Sequence, residues 1–182
     1  MEVSGGYKLK TGERAPPFDL PGVDGRRVQL HDFAGSKALV VAFWCNHCPY
    51  VRHYERRFVQ WADDARKRAV GVVAINSNDE VNYPEDSFEH MVTRAKEQGY
   101  NFPYLRDKDQ KVAHAYGAQC TPHFLVFDAD MKLVYQGRFD DNKEHPDQVK
   151  ERYLPDVVDA LLQGRPPKRD MTWAIGCSIK WG

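Results

Sequence analysis

The 182 residues carry 26 basic and 26 acidic side chains, and 42% of the chain is hydrophobic. That length suits one domain with its own core, 1–182. With the charge cancelled, no basic stripe points to nucleic acid and no charge excess to a membrane surface, and no apolar stretch approaches the ~20 residues of a membrane span.

The order of elements alternates strand and helix, as in an α/β sheet. Residues 1–17 are polar, without the basic-then-apolar order of a secretory leader, so the chain reads as cytoplasmic. Phe18–Leu20 and Arg27–Leu30 flank a Gly/Asp turn and predict a hairpin. Ala38–Trp44 is a continuous apolar run, the pattern of a central strand covered on both faces. From Cys48 to Arg68, Val51, Tyr54, Phe58, Trp61 and Ala65 recur at helical spacing, and Val70–Ile75 reads as a second buried strand. Pro84, Glu85 and Asp86 predict a helix start, with Phe88, Met91, Val92 and Ala95 as its inner face and Gly99 as its stop. A short strand at Pro103–Leu105, a short helix at Asp109–Tyr116 and a hairpin of His123–Phe127 with Lys132–Tyr135 follow. A last helix covers Asp147–Leu162, with a kink or restart expected at Pro155. The tail, 165–182, places Trp173, Ile175, Cys177, Ile179 and Trp181 at every second position, which predicts an extended segment docked by that face.

Cys45-Asn46-His47-Cys48 stands between the apolar run and the long helical pattern. Four cysteines in a reducing compartment point to catalysis or metal rather than to a disulfide scaffold. In that context C-x-x-C reads as a redox motif: two thiols on the first turn of a helix can close a small disulfide, and the helix N-terminus stabilises a thiolate. Structural thiols beside a strand are the plain alternative.

Strand, C-x-x-C, helix, strand, helix and then Thr121-Pro122 before a hairpin resembles the thioredoxin fold. Gly12–Leu20 with Asp24-Gly25 is similar to the opening of the redoxin, or alkyl hydroperoxide reductase and thiol-specific antioxidant, superfamily. Asn46–Val51, Ala115–Ala118, Cys120–Pro122 and Gly176–Trp181 look like a bacterial branch of it whose members are described as thioredoxin-family or thiol-disulfide isomerase proteins. The resemblance implies a mixed sheet flanked by helices and a cis Pro122 against the active-site disulfide. It also implies that the backbone before Pro122, at Thr121, pairs with a substrate strand. By motif position it makes Cys45 the attacking thiol and Cys48 the resolving one, with disulfide-containing proteins or small thiols as partners, a separate electron donor, and no cofactor or resident metal.

Around that pair, His47 reads either as an imidazole favouring the Cys45 thiolate or as a solvent-facing side chain. Trp44 reads as a shield for the disulfide and a wall of the substrate groove, or as core. Cys120 can resolve Cys45, join a metal site or fill space, Cys177 can reach the site if the tail folds over it, and His123 follows the proline. The lead-in Ala38–Trp44 lacks the Pro-x-x-x-Thr-x-x-Cys of peroxiredoxins. Val51 stands where cytochrome-maturation thioredoxins place an acid, and Glu55, a turn on, reads as solvated. Two other readings stay open: a zinc or copper delivery module using Cys45, Cys48 and Cys120 with His47 or His123, and a partner-binding protein whose redox site is vestigial.

Overall fold

A computed structural model describes residues 6–182. Its centre is a five-stranded mixed sheet with strand order β5-β4-β3-β7-β8. The strands are β3 (Ala38–Phe43), β4 (Val70–Asn76), β5 (Tyr104–Arg106), β7 (His123–Asp128) and β8 (Leu133–Gly137). β3 runs parallel to β4 and antiparallel to β7, with Val40 opposite both Val72 and Val126. The N-terminal hairpin is β1 (Asp19–Pro21) with β2 (Arg27–Gln29).

Every residue of β3 is buried because each face meets a different layer. Ala38, Val40, Ala42 and Trp44 face α1 (Pro49–Lys67), α2 (Phe88–Glu97) and α4 (Tyr153–Leu162). Leu39, Val41 and Phe43 face α3 (Lys111–Tyr116), the hairpin and Ile179 of the tail. On the first face Phe58 packs within 5.2 Å of the rings of Trp44, Phe102 and Phe124, so aromatic burial fixes α1 against the strand that ends at the C-x-x-C segment.

Helix boundaries differ from the sequence expectation. α1 begins at Pro49, with Cys48 as its N-cap. Pro suits a first helical position because its missing N–H would have no intrahelical partner. Pro84–Asp86 forms a separate single turn, and α2 begins after Ser87, whose Oγ accepts the His90 N–H at 3.3 Å. Val92 consequently points outward, 38% exposed. α4 begins at Tyr153, so Pro155 lies in its first turn, where a missing donor disturbs no helical bond.

The outer strands of the sheet are covered. Gly22 and Val23 bond along β5, Val23 N–H to the Tyr104 carbonyl at 3.0 Å. Gly12, Ala15 and Thr172 bond along the β8 hairpin, to Leu133, Met131 and Gln136. A third pairing joins β6 (Cys120–Thr121) to β9 (Cys177–Ser178), antiparallel, with Thr121 opposite Cys177.

The tail's inward face is not the alternating one read from the sequence. Thr172, Ala174, Gly176 and Ile179 turn in, while Trp173 and Trp181 remain 39% and 44% exposed. Small residues turn in because the tail lies directly on backbone: a Cβ on Gly176 would come within 2.2 Å of the Thr121 carbonyl oxygen. Tyr7 anchors the segment by donating to the Thr172 carbonyl and accepting the Ala174 N–H, both at 2.7 Å. Gln110 donates to the Lys180 carbonyl at 2.9 Å, and Trp181 stacks on His114.

His123 is wholly buried, and its Nε2–H donates to Gln136 Oε1 at 3.1 Å. The direction follows because the Gln136 amide nitrogen is used on the Leu9 carbonyl. Burial lowers its pKa from 6.5 to about 4. Between those values the unfolded chain takes up a proton that the folded one refuses. Stability is therefore present above pH 6.5 and is lost as pH falls toward 4, by about 3 kcal/mol for this group. Urea unfolding at pH 7 and pH 4.5 is expected to show a steeper acid loss for the native chain than for His123→Gln; equal losses would remove His123 as the cause.

Candidate active site

The C-x-x-C segment crosses from the end of β3 to the start of α1, so the two thiols are held by different elements. Cys45 continues the strand and is 2% exposed; Cys48 caps the helix and is 7% exposed. Only Cys48 is at the helix terminus, whereas the sequence reading put both thiols on the first turn. Thr121 bridges them. Its hydroxyl lies 3.2 Å from Cys45 Sγ, and its carbonyl accepts from Cys48 Sγ at 3.5 Å. The Thr121-Pro122 peptide is cis, which sets Thr121 and β6 against the two sulfurs.

The electrostatics of the two thiols differ. Cys48 is lowered to about 5, first by the hydrogen bond from the Cys45 thiol, then by Cys177 and the backbone N–H groups of Val51 and Cys177. Burial opposes these donors and is outweighed. Cys45 is pushed well above the ordinary thiol value, because it keeps the proton it shares with Cys48, is desolvated, and faces Asp86. The pair is thus asymmetric, with ionisation favoured at Cys48 and opposed at Cys45.

Asn46 is locked by a polar network that the motif spacing did not reveal. Its N–H donates to Asp86 Oδ1 at 2.8 Å, its side-chain amide to the Glu85 carbonyl at 2.9 Å, and its Oδ1 accepts from Tyr104 at 2.8 Å. Asp86 also receives Asn76 and Asn78, at 3.0 and 2.9 Å. The Asn76–Asn78 stretch reads as a simple loop in sequence; only the fold shows that it clamps the turn between the cysteines.

Other expected site residues fall elsewhere. His47 turns outward to Glu85, 3.3 Å from its carboxylate, rather than to sulfur. Trp44 is fully buried and donates its indole N–H to Tyr100 at 2.9 Å, so it lies under the site and does not wall a groove. Glu55 is 4% exposed, not solvated: Arg94 and Tyr100 both bond its carboxylate. Cys120 packs with Tyr7 and Ala174 and turns to the Pro122 carbonyl, and burial raises its pKa to about 12. His123 is sequestered on Gln136. Among the described residues no three Cys, His, Asp or Glu side chains converge in a metal-binding arrangement. Cys177, in contrast, packs against the cluster that holds Cys45 and Cys48.

Comparison with known proteins agrees with this geometry. A conserved, uncharacterized protein of Geobacillus kaustophilus superposes with a TM-score of 0.93 at 46% identity, over 100% of this chain and 96% of that one. The thiol-disulfide oxidoreductase ResA of Bacillus thuringiensis (strain Al Hakam) is 25% identical over 155 residues, 81% of each chain. The peroxiredoxin Bcp of Escherichia coli (strain K12) is 29% identical over 155 residues, 78% of this chain and 93% of its own. Both names describe thiol-based oxidoreductases, and that general class extends to this chain. The AhpC/TSA family model matches residues 11–136, from before the N-terminal hairpin into β8, and takes in the whole C-x-x-C segment. By that match, and by the mixed sheet that carries a thiol on its central helix cap, the chain belongs to the AhpC/TSA family.

Proposed function

We propose that the chain is a thiol-disulfide oxidoreductase that exchanges a Cys45–Cys48 dithiol with disulfide-bearing proteins or small disulfides, with Cys48 as the attacking thiol. The observation that carries this reading is the position of Cys48 at the helix cap, where it is the more exposed of the two thiols, 7% against 2%, with Cys45 and Cys177 favouring its ionised form. It reverses the roles implied by motif order, because the attacking group must be the more ionised and more accessible one.

The electron count closes without a cofactor. The Cys48 thiolate attacks one sulfur of R–S–S–R′, forming Cys48–S–S–R and expelling R′S⁻. Cys45 gives up its proton as R′S⁻ takes one, then attacks the Cys48 sulfur and expels RS⁻. The substrate gains two electrons and, from Cys45, one proton; RS⁻ takes its proton from water, and the protein holds a Cys45–Cys48 disulfide that an external dithiol reduces. Intact mass with and without reductant is expected to differ by two protons, and the Cys45→Ser variant is expected to lack the Cys45–Cys48 link on peptide mapping. Identical masses would remove the reading. The likeness to Bcp raises peroxide as a rival oxidant. Exchange with a peptide disulfide that outpaces peroxide consumption supports the proposal, and the opposite order overturns it.

The ionisation difference has its own test. Alkylation of Cys48 by iodoacetamide is expected to hold its rate down to about pH 5 and to fall below it. Replacing Cys45 with alanine removes the largest donor, so the midpoint is expected to rise toward the ordinary thiol value of ~8.5. An unchanged midpoint would show that Cys45 does not tune Cys48.

A further inference from the structure

Cys48 lies between two thiols, not one. On its inner side is Cys45; on its outer side is Cys177, which packs against the cluster that holds both Cys45 and Cys48 and lowers the Cys48 pKa. Cys177 is half-buried, in contrast with the sealed Cys45. Its position is set by the chain rather than by chance contact. β9 pairs with β6 in a register that puts Cys177 opposite Thr121, the residue bonded to both Cys45 and Cys48. Gly176 permits that approach, since any side chain there would run into the Thr121 carbonyl. Beyond the strand, Asn78 Oδ1 accepts the Lys180 N–H at 2.8 Å, and the Lys180 carbonyl accepts the Asp79 N–H at 2.7 Å, so the strand is pinned just beyond the cysteine.

We propose that Cys177 is a second resolving thiol, which closes a Cys48–Cys177 disulfide and seals the tail over the site. The inference rests on the reading of Cys48 as the attacking group. Once Cys48–S–S–R has formed and R′S⁻ has left, Cys177 releases its proton to that leaving thiolate and attacks the Cys48 sulfur. RS⁻ departs, and Cys48–Cys177 remains. Attack by Cys45 on Cys48 then moves the bond inward and frees Cys177, with no further change in electron count. The outer disulfide ties β9 to the helix cap, so a polypeptide cannot reach β6 until the bond moves inward or is reduced.

The test is peptide mapping of full-length protein oxidised with glutathione disulfide and alkylated without reduction. In Cys45→Ser, a linked pair of peptides containing Cys48 and Cys177 is expected, with Cys120 alkylated. Adding Gly176→Val, which displaces β9, is expected to lower that pair about tenfold or more. A Cys45→Ser protein that holds only glutathione on Cys48, with Cys177 still alkylatable, overturns the inference. The native chain supplies the second arm and does not depend on any variant folding. Under partial oxidation it is expected to yield Cys48–Cys177 beside Cys45–Cys48. Cys45–Cys48 alone refutes the second thiol and leaves the proposed function standing; neither pair refutes both.

Discussion

Cys48→Ser is expected to lower turnover of a peptide disulfide by on the order of 10³-fold or more, equivalent to about 4 kcal/mol of barrier. Serine is a favoured N-cap residue, so the fold is kept while the ionisable sulfur is lost. Cys45→Ser is expected to behave differently. The first attack by Cys48 survives and forms a mixed disulfide with substrate or glutathione, which only Cys177 is left to displace. In Cys45→Ser/Cys177→Ser that adduct is expected to be stable to isolation. The measurement is stopped turnover with intact mass. An adduct that instead accumulates on Cys45 in Cys48→Ser, at the native rate, would reverse the assignment of roles.

Arg94→Leu is expected to be the costliest change away from the thiols. Arg94 and Glu55 form an ion pair whose side chains are 17% and 5% exposed, and Tyr100 bonds the same carboxylate. Removing the arginine leaves Glu55 buried without its counter-charge, a loss of about 3–5 kcal/mol. For a domain of this size that is a fall of about 10 °C in melting temperature. Arg94→Leu/Glu55→Leu removes both charges and is expected to recover most of the loss, since two apolar groups need no mutual compensation. Guanidinium unfolding of the single and double variants checks this; a single variant within 1 kcal/mol of the native chain would show that the pair is not structural. The same network reaches the site, because Tyr100 receives the indole N–H of Trp44, the residue before Cys45.

How much of this was readable in the sequence differs by element. β3 was legible because seven apolar residues in a row, between a loop and a helical pattern, admit few alternatives. The C-x-x-C segment and the Thr121-Pro122 step were legible through their resemblance to a known fold. The roles of the two thiols were not, because they depend on where the helix starts. Pro49 fixes that point, and its meaning as a first helical residue could have been read from the sequence. Glu55 looked solvated because its partners, Arg94 and Tyr100, are 39 and 45 residues away. Spacing within one helix carries no information about them. The tail's facing is hidden from the sequence for a related reason. Alternating large residues suggest burial, but a segment lying against backbone needs small ones inward, at Ala174 and Gly176.

The pairing of β9 with β6 has a thermodynamic consequence for anything that docks beside Thr121. The main-chain groups there are already occupied by the protein's own terminus, so an incoming peptide exchanges bonds instead of adding them. Its net affinity must then come from side chains, or from a locally high concentration when the reactive cysteine belongs to a tethered partner. A small disulfide that slips in beside the strand meets no such competition.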